Sequence, residues 1–205
     1  MTQILVFGDS ITYGARDKAG GWVQRLRTFI EEKYPEEHLI YNLGVSADTS
    51  DSLIERLEDE TKRREGSEII FIFQIGANDS AFLSTKKDFW ASKEKFRNNI
   101  KDIIKKSKKI SQKIFFVENI PVDENKTHPV PWDKRVTYKN ENIKKYNEII
   151  KEVCNKEVVS FIGVFDKFFK SDYKKLLQDG VHPNSEGHEK IFEIVKEFLI
   201  KNKVI

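Results

Sequence analysis

The sequence predicts an α/β fold: a doubly wound, three-layer α/β/α sandwich around a five-stranded parallel sheet. Three observations carry this. Five short apolar runs recur along the chain, and segments with helical spacing separate them. The runs are near-continuously apolar rather than alternating, as suits strands covered on both faces.

The runs are Ile4–Phe7, Leu39–Leu43, Ile69–Ile75, Ile114–Val117 and Val158–Ile162, each rich in β-branched or aromatic residues. The first helical pattern is Trp22, Val23, Leu26, Phe29 and Ile30, and the second is Leu53, Ile54 and Leu57. Next come Phe96, Ile100, Ile103 and Ile104, then Ile143, Tyr146, Ile149, Ile150 and Val153. The last is Ile191, Ile194, Val195, Phe198 and Leu199, with Asn184 or Ser185 as its cap after Pro183. The stretch Pro121–Trp132 is the one long irregular segment and reads as a loop over a site rather than a domain boundary.

Residues 1–205 read as one domain, and 15 Phe, 3 Trp and 6 Tyr supply ample core area. Lys+Arg is 36 against Asp+Glu 33, a net charge of +3, which gives no field for holding nucleic acid or an anionic membrane. Six lysines between Lys101 and Lys113 read as a solvated helix face. No run approaches the ~18 apolar residues of a membrane helix, and Cys154 alone cannot form an internal disulfide. Cytoplasmic residence is the expectation, Cys154 reads as a packed thiol, and oligomeric state is not legible.

Open α/β sheets bind ligands beyond the carboxyl ends of their strands. After the first run comes Gly8-Asp9-Ser10-Ile11-Thr12, after the second Gly44-Val45-Ser46-Ala47-Asp48, and after the third Gly76-Ala77-Asn78-Asp79. Beyond the fifth run lies Asp179-Gly180-Val181-His182-Pro183. A serine hydroxyl needs a base, and the base needs a partner to hold its ring. Ser10, His182 and Asp179 supply these parts, and the spacing of three lets one loop carry Asp179 and His182. The N–H groups of Gly44 and Ser10 and the Asn78 amide can form an oxyanion hole. Asp9, near a helix N-terminus, takes a supporting role.

Each residue alone has a plainer reading: Ser10 as a helix cap, Asn78 and Asp179-Gly180 as turn formers, His182 as a surface histidine. Their joint arrival at one sheet edge favours chemistry. In that combination the chain resembles the SGNH (GDSL-type) hydrolase superfamily. Its blocks stand here as Gly8-Asp9-Ser10, Asn42-Leu43-Gly44, Gly76-Ala77-Asn78-Asp79 and Asp179-Gly180-Val181-His182-Pro183, in the family's order. One departure is visible: the second block often continues Ser-Gly, whereas this chain has Ser46-Ala47.

The resemblance implies a flavodoxin-like sandwich, no metal or organic cofactor, and Ser10 as nucleophile activated by Asp179–His182. It implies Gly44 and Asn78 in the oxyanion hole with the Ser10 N–H. The expected activity is hydrolysis of carboxylic esters of small or lipid-like molecules through an acyl-Ser10 intermediate. Deacetylation of acetylated sugars, lysophospholipid cleavage, thioester hydrolysis and non-catalytic ligand binding are the alternatives. Ser46 is the rival nucleophile, and Trp132 is a candidate pocket residue whereas Trp22 is expected in the core. Asp179, His182 and His188 could be imagined as metal ligands, but His188 is expected to point outward from the last helix.

Overall fold

The computed structural model describes every residue except Glu65 and Ser67. The chain runs β1 (Thr2–Gly8), α1 (Ser10–Tyr13), α2 (Gly21–Lys33), β2 (His38–Gly44), α3 (Ser50–Lys62) and β3 (Glu68–Gln74). It continues through β4 (Phe82–Leu83), β5 (Asp88–Phe89), α4 (Lys93–Lys108), β6 (Ile114–Val117), β7 (Val136–Thr137) and α5 (Asn140–Glu157). It ends with β8 (Ser160–Ile162), α6 (Phe165–Phe169), a 3₁₀ turn at Tyr173–Leu176, and α7 (Ser185–Lys201).

Five strands form a parallel sheet in the order β2-β1-β3-β6-β8. This is the flavodoxin-like order, with its crevice where β1 meets β3. Gly8, at the end of β1, stands level with Gly44 and Gln74 on either side.

Alternation along each strand divides the core. Ile4, Val6, Ile70, Ile72 and Val117 pack with α2 and α7. Leu5, Phe7, Phe71, Phe73 and Phe116 pack with α3, α4 and α5. On that second face Phe71 and Phe73 stack at 5.8 Å, and Phe73 meets Phe7 at 5.6 Å and Phe116 at 5.0 Å. Such aromatic contacts in a dry, close-packed layer give a stiff floor beneath the strand ends. Side-chain caps start three of the long helices: Thr49 accepts from Ser52 N–H, Ser92 from Lys95 N–H, and Asn184 from Gly187 N–H.

A second, antiparallel sheet of two-residue strands, β5-β4-β7, lies apart from the main one. The cluster that includes Ala81, Val130, Val136, Tyr138 and Val181 holds it, together with the 121–132 segment. No described helix is long and apolar enough to cross a membrane.

Two expectations are corrected. Val158 does not begin the fifth strand: it is the left-handed C-cap of α5 (φ 55°) and is 93% exposed, so β8 starts at Ser160. His188 does not point to solvent. It is fully buried, and its Nδ1 accepts the Trp22 N–H at 3.3 Å. Burial lowers its pKa to about 4, so the ring is neutral. Trp22 lies in the core, and burial pushes the Cys154 thiol up to about 12.

Candidate active site

Ser10 occupies the first position of a one-turn helix that follows β1 directly. Asp9, the N-cap, accepts the Ile11 N–H at 2.9 Å, which fixes the turn and aims Ser10 out of the sheet edge. The loop before α7 comes to meet it. Ser10 Oγ lies 2.8 Å from His182 Nε2, and His182 Nδ1 lies 2.8 Å from Asp179 Oδ2. Asp179 Oδ1 accepts the Val181 and His182 N–H groups at 3.1 and 2.9 Å. A carboxylate so held sets the imidazole tautomer with the bare Nε2 toward the hydroxyl. Burial pushes the Asp179 carboxyl upward, but the bonds from the His182 ring and backbone outweigh it and keep it well below the usual range.

The opposite side of Ser10 is built from amides. Asn78 Nδ2 donates to Asp48 O at 2.8 Å, and Asn78 Oδ1 accepts from the Tyr138 hydroxyl at 2.7 Å. Both ends of the amide are thereby fixed, and one Nδ2–H remains to face the cavity. Tyr138 could not be anticipated as its holder, because the contact spans 60 residues and no motif marks it.

Gly44 requires a correction. Its N–H donates to Asn42 Oδ1 at 3.0 Å and is not turned to the cavity. Gly44 is a glycine for steric reasons, since a Cβ there would stand 2.2 Å from Tyr13 N of α1. Ala47, at φ 65°, lines the cavity from this loop together with Ser46. A left-handed alanine is disfavoured by about 1 kcal/mol, so the loop holds it there against its preference. The N–H groups of Ser10 and Ala47 have no partner among the described residues. The signal was legible: Ala47 is the position where the family's second block carries glycine.

Beneath these amides lies a buried acidic layer. Asp79 accepts the Ser50 N–H through both oxygens (3.1 and 3.0 Å) and the Ser50 hydroxyl, which also receives Asn99 Nδ2 at 2.8 Å. Arg56 reaches Asp48 Oδ2 at 2.6 Å and Gly8 O at 3.3 Å, and stacks on Phe7. It thus ties β1, which leads into Ser10, to the Ala47 loop. Burial raises Asp9 to about 7 and Asp79 to about 6, and it raises Asp48 despite Arg56.

Ser10, Asn78, Tyr138 and His182 open into a cavity of about 770 Å³. Ser46 also lines it, but its hydroxyl makes no hydrogen bond to a histidine among the described residues. Trp90 and Trp132 stand on its wall with Arg16, Asp133 and Arg135, and the Trp132 ring lies 5.8 Å from that of His182. The arrangement provides a hydroxyl, a base with its orienting carboxylate, and N–H donors of Ser10, Ala47 and Asn78 along the same cavity, which are the parts acyl transfer requires.

Residues 6–190 match the model of the GDSL-like lipase/acylhydrolase family. The chain belongs to this family. A multidomain esterase of Ruminococcus flavefaciens is 27% identical over 222 residues, covering 92% of this chain and 27% of the esterase, so the chain spans about a quarter of that relative. The uncharacterized lipoprotein YqeF of Bacillus subtilis is 27% identical over 206 residues, covering 91% of this chain and 82% of the lipoprotein. Among solved structures, the lipase/acylhydrolase of Enterococcus faecalis superposes with a TM-score of 0.77 at 23% identity, covering 97% of this chain and 95% of that one. A variant of Axe2, an acetyl xylan esterase from Geobacillus stearothermophilus, gives 0.73 at 20% identity, covering 96% and 92%. These superpositions match the three-layer fold. Family membership makes ester and acyl cleavage the class of chemistry at issue.

Proposed function

We propose that the protein is a serine esterase that cleaves carboxylic esters through an acyl-Ser10 intermediate. The observation that carries this is the unbroken hydrogen-bond series from Ser10 Oγ through His182 to Asp179, with both links at 2.8 Å. As Ser10 Oγ attacks the acyl carbon, His182 Nε2 takes its proton and Asp179 stabilises the imidazolium. The carbonyl oxygen becomes an oxyanion, met by the N–H groups of Ser10 and Ala47 and by Asn78 Nδ2–H. The C–O bond to the alcohol then breaks and His182 returns the proton to the departing oxygen. Water repeats the sequence on the acyl-enzyme and frees the acid.

The test is covalent labelling with a fluorophosphonate alongside turnover of short p-nitrophenyl esters. Wild-type protein should label stoichiometrically and Ser10→Ala should neither label nor turn over. Labelling that survives in Ser10→Ala and disappears in Ser46→Ala would transfer the role to Ser46.

A further inference from the structure

Arg16 has a role that nothing above uses. It sits in the loop after α1 with φ 71°, a left-handed conformation that a non-glycine residue adopts only when its surroundings impose it. The next residue supplies the constraint. Asp17 accepts the Ala19 and Gly21 N–H groups, each at 3.1 Å, and is ion-paired to Arg25. The loop is thus pinned, and Arg16 is directed at the site. Its Nε donates to Asp179 Oδ2 at 3.2 Å, the same oxygen that receives His182 Nδ1. The guanidinium therefore lies beside the imidazole, with its side chain 57% exposed. Only Nε has a partner among the described residues, so the remaining N–H groups of the fork are presented to the cavity rim.

Its neighbours differ. Arg135, on the same cavity wall, is consumed by Asp133 through two bonds at 2.9 and 2.8 Å. Trp132 offers an aromatic face next to His182. Past Arg16 the surface opens into a second depression of about 450 Å³, which Arg16 also lines, with Lys18, Gln178 and Glu186 on its walls.

The stereochemistry of acyl transfer says which part of a substrate lies here. His182 Nε2 must hand its proton to the departing oxygen, so the alcohol half of the ester leaves on the imidazole side. We propose that Arg16 and Trp132 frame a leaving-group subsite selecting alcohols that carry a phosphate or carboxylate close to the scissile ester. Trp132 packs against the body of the alcohol, and the free edge of the Arg16 fork receives the anion in the bidentate manner guanidinium allows. The second depression leaves room for whatever the alcohol carries beyond that anion. The proposal rests on the Ser10–His182–Asp179 reading above.

The experiment compares three acetyl esters of similar shape: methyl 4-acetoxybenzoate, which is neutral, 4-acetoxybenzoate, and 4-acetoxyphenyl phosphate. Arg16→Gln should lower kcat/KM on the anionic esters about tenfold more than on the neutral one, whereas Arg16→Lys should retain part of the selectivity. The carboxylate and phosphate arms report which anion is preferred. Equal losses on all three esters would make Arg16 a prop for Asp179 and overturn the proposal, as would no loss on any. Calorimetric binding of 4-hydroxyphenyl phosphate to Ser10→Ala, with and without Arg16→Gln, reads the subsite without turnover. Affinity unchanged by Arg16→Gln overturns the subsite, while absence of Ser10-dependent turnover overturns only the catalytic reading.

Discussion

Two sets of carboxylates flank Ser10, and the chain treats them in opposite ways. Asp179, at the rim, is surrounded by donors: the His182 ring, two backbone N–H groups and Arg16. Asp9, at the base, has one backbone donor and complete burial, with Asp48 and Asp79 close enough to push its pKa further up. Donors keep a buried carboxylate charged, and their scarcity makes it hold its proton. The rim carboxylate is thereby suited to stabilising an imidazolium, and Asp9 to acting as a framework group whose proton burial retains. Similar groups on either side of one serine are separated by burial and hydrogen-bond supply together.

Three substitutions probe that contrast. The largest effect is expected from Asp179→Asn, which keeps an acceptor for the backbone N–H groups but cannot hold the imidazolium. Turnover should fall by about 10³–10⁴-fold with an unchanged circular dichroism spectrum. A drop below tenfold would mean that Ser10 and His182 work as a dyad. Tyr138→Phe comes next. It frees Asn78 Oδ1 and lets the amide rotate, so kcat should fall roughly tenfold with KM nearly constant, short of the 10²–10³ for losing a donor outright. A change confined to KM would place Tyr138 in substrate binding instead.

Asp9→Asn should affect activity least and pH-dependent stability most. With its folded pKa raised to about 7 from 3.8, Asp9 holds a proton between those values that the unfolded chain has released. Its contribution is therefore full below about 4 and is lost as pH rises toward 7. Asparagine can still accept the Ile11 N–H and does not titrate. Urea midpoints at pH 4.5 and 7.5 should show wild type losing stability relative to the variant as pH rises. Parallel curves would show that Asp9 is charged and matched by a partner.

The long elements were legible because their periodicity is physical: three of the five strand runs and all five long helical patterns lie within the observed elements, and the run ending at Ile75 overshoots β3 by one residue. Val158 misled because a β-branched residue in an apolar run looks like a strand start, whereas the helix before it needed a left-handed terminus. The strands β4, β5 and β7 have two residues each, too few for any period to show. His188 was misplaced because its burial depends on α2 and the Ala15 loop, over 160 residues away.

The site divides along the same line. Ser10, Asn78, Asp179 and His182 follow strands or sit in one tight loop, so local sequence placed them at the sheet edge. The sequence puts the Gly44 N–H in the oxyanion hole, yet the residue's lack of a side chain accommodates α1, and Ala47 faces the cavity. Tyr138, Arg56 and Arg16 act across long sequence separations and carry no local mark.

The 172-residue gap between Ser10 and His182 has a consequence for biosynthesis. A ribosome makes Ser10 long before His182. A nascent chain can lay down β1, β2, β3 and β6 with their helices while Ser10 stays without its partner, because His182 has not yet left the exit tunnel. The Ser10–His182 contact thus arrives with the docking of the segment that leads into α7, and on the proposed mechanism ester cleavage reports that the whole sandwich has closed.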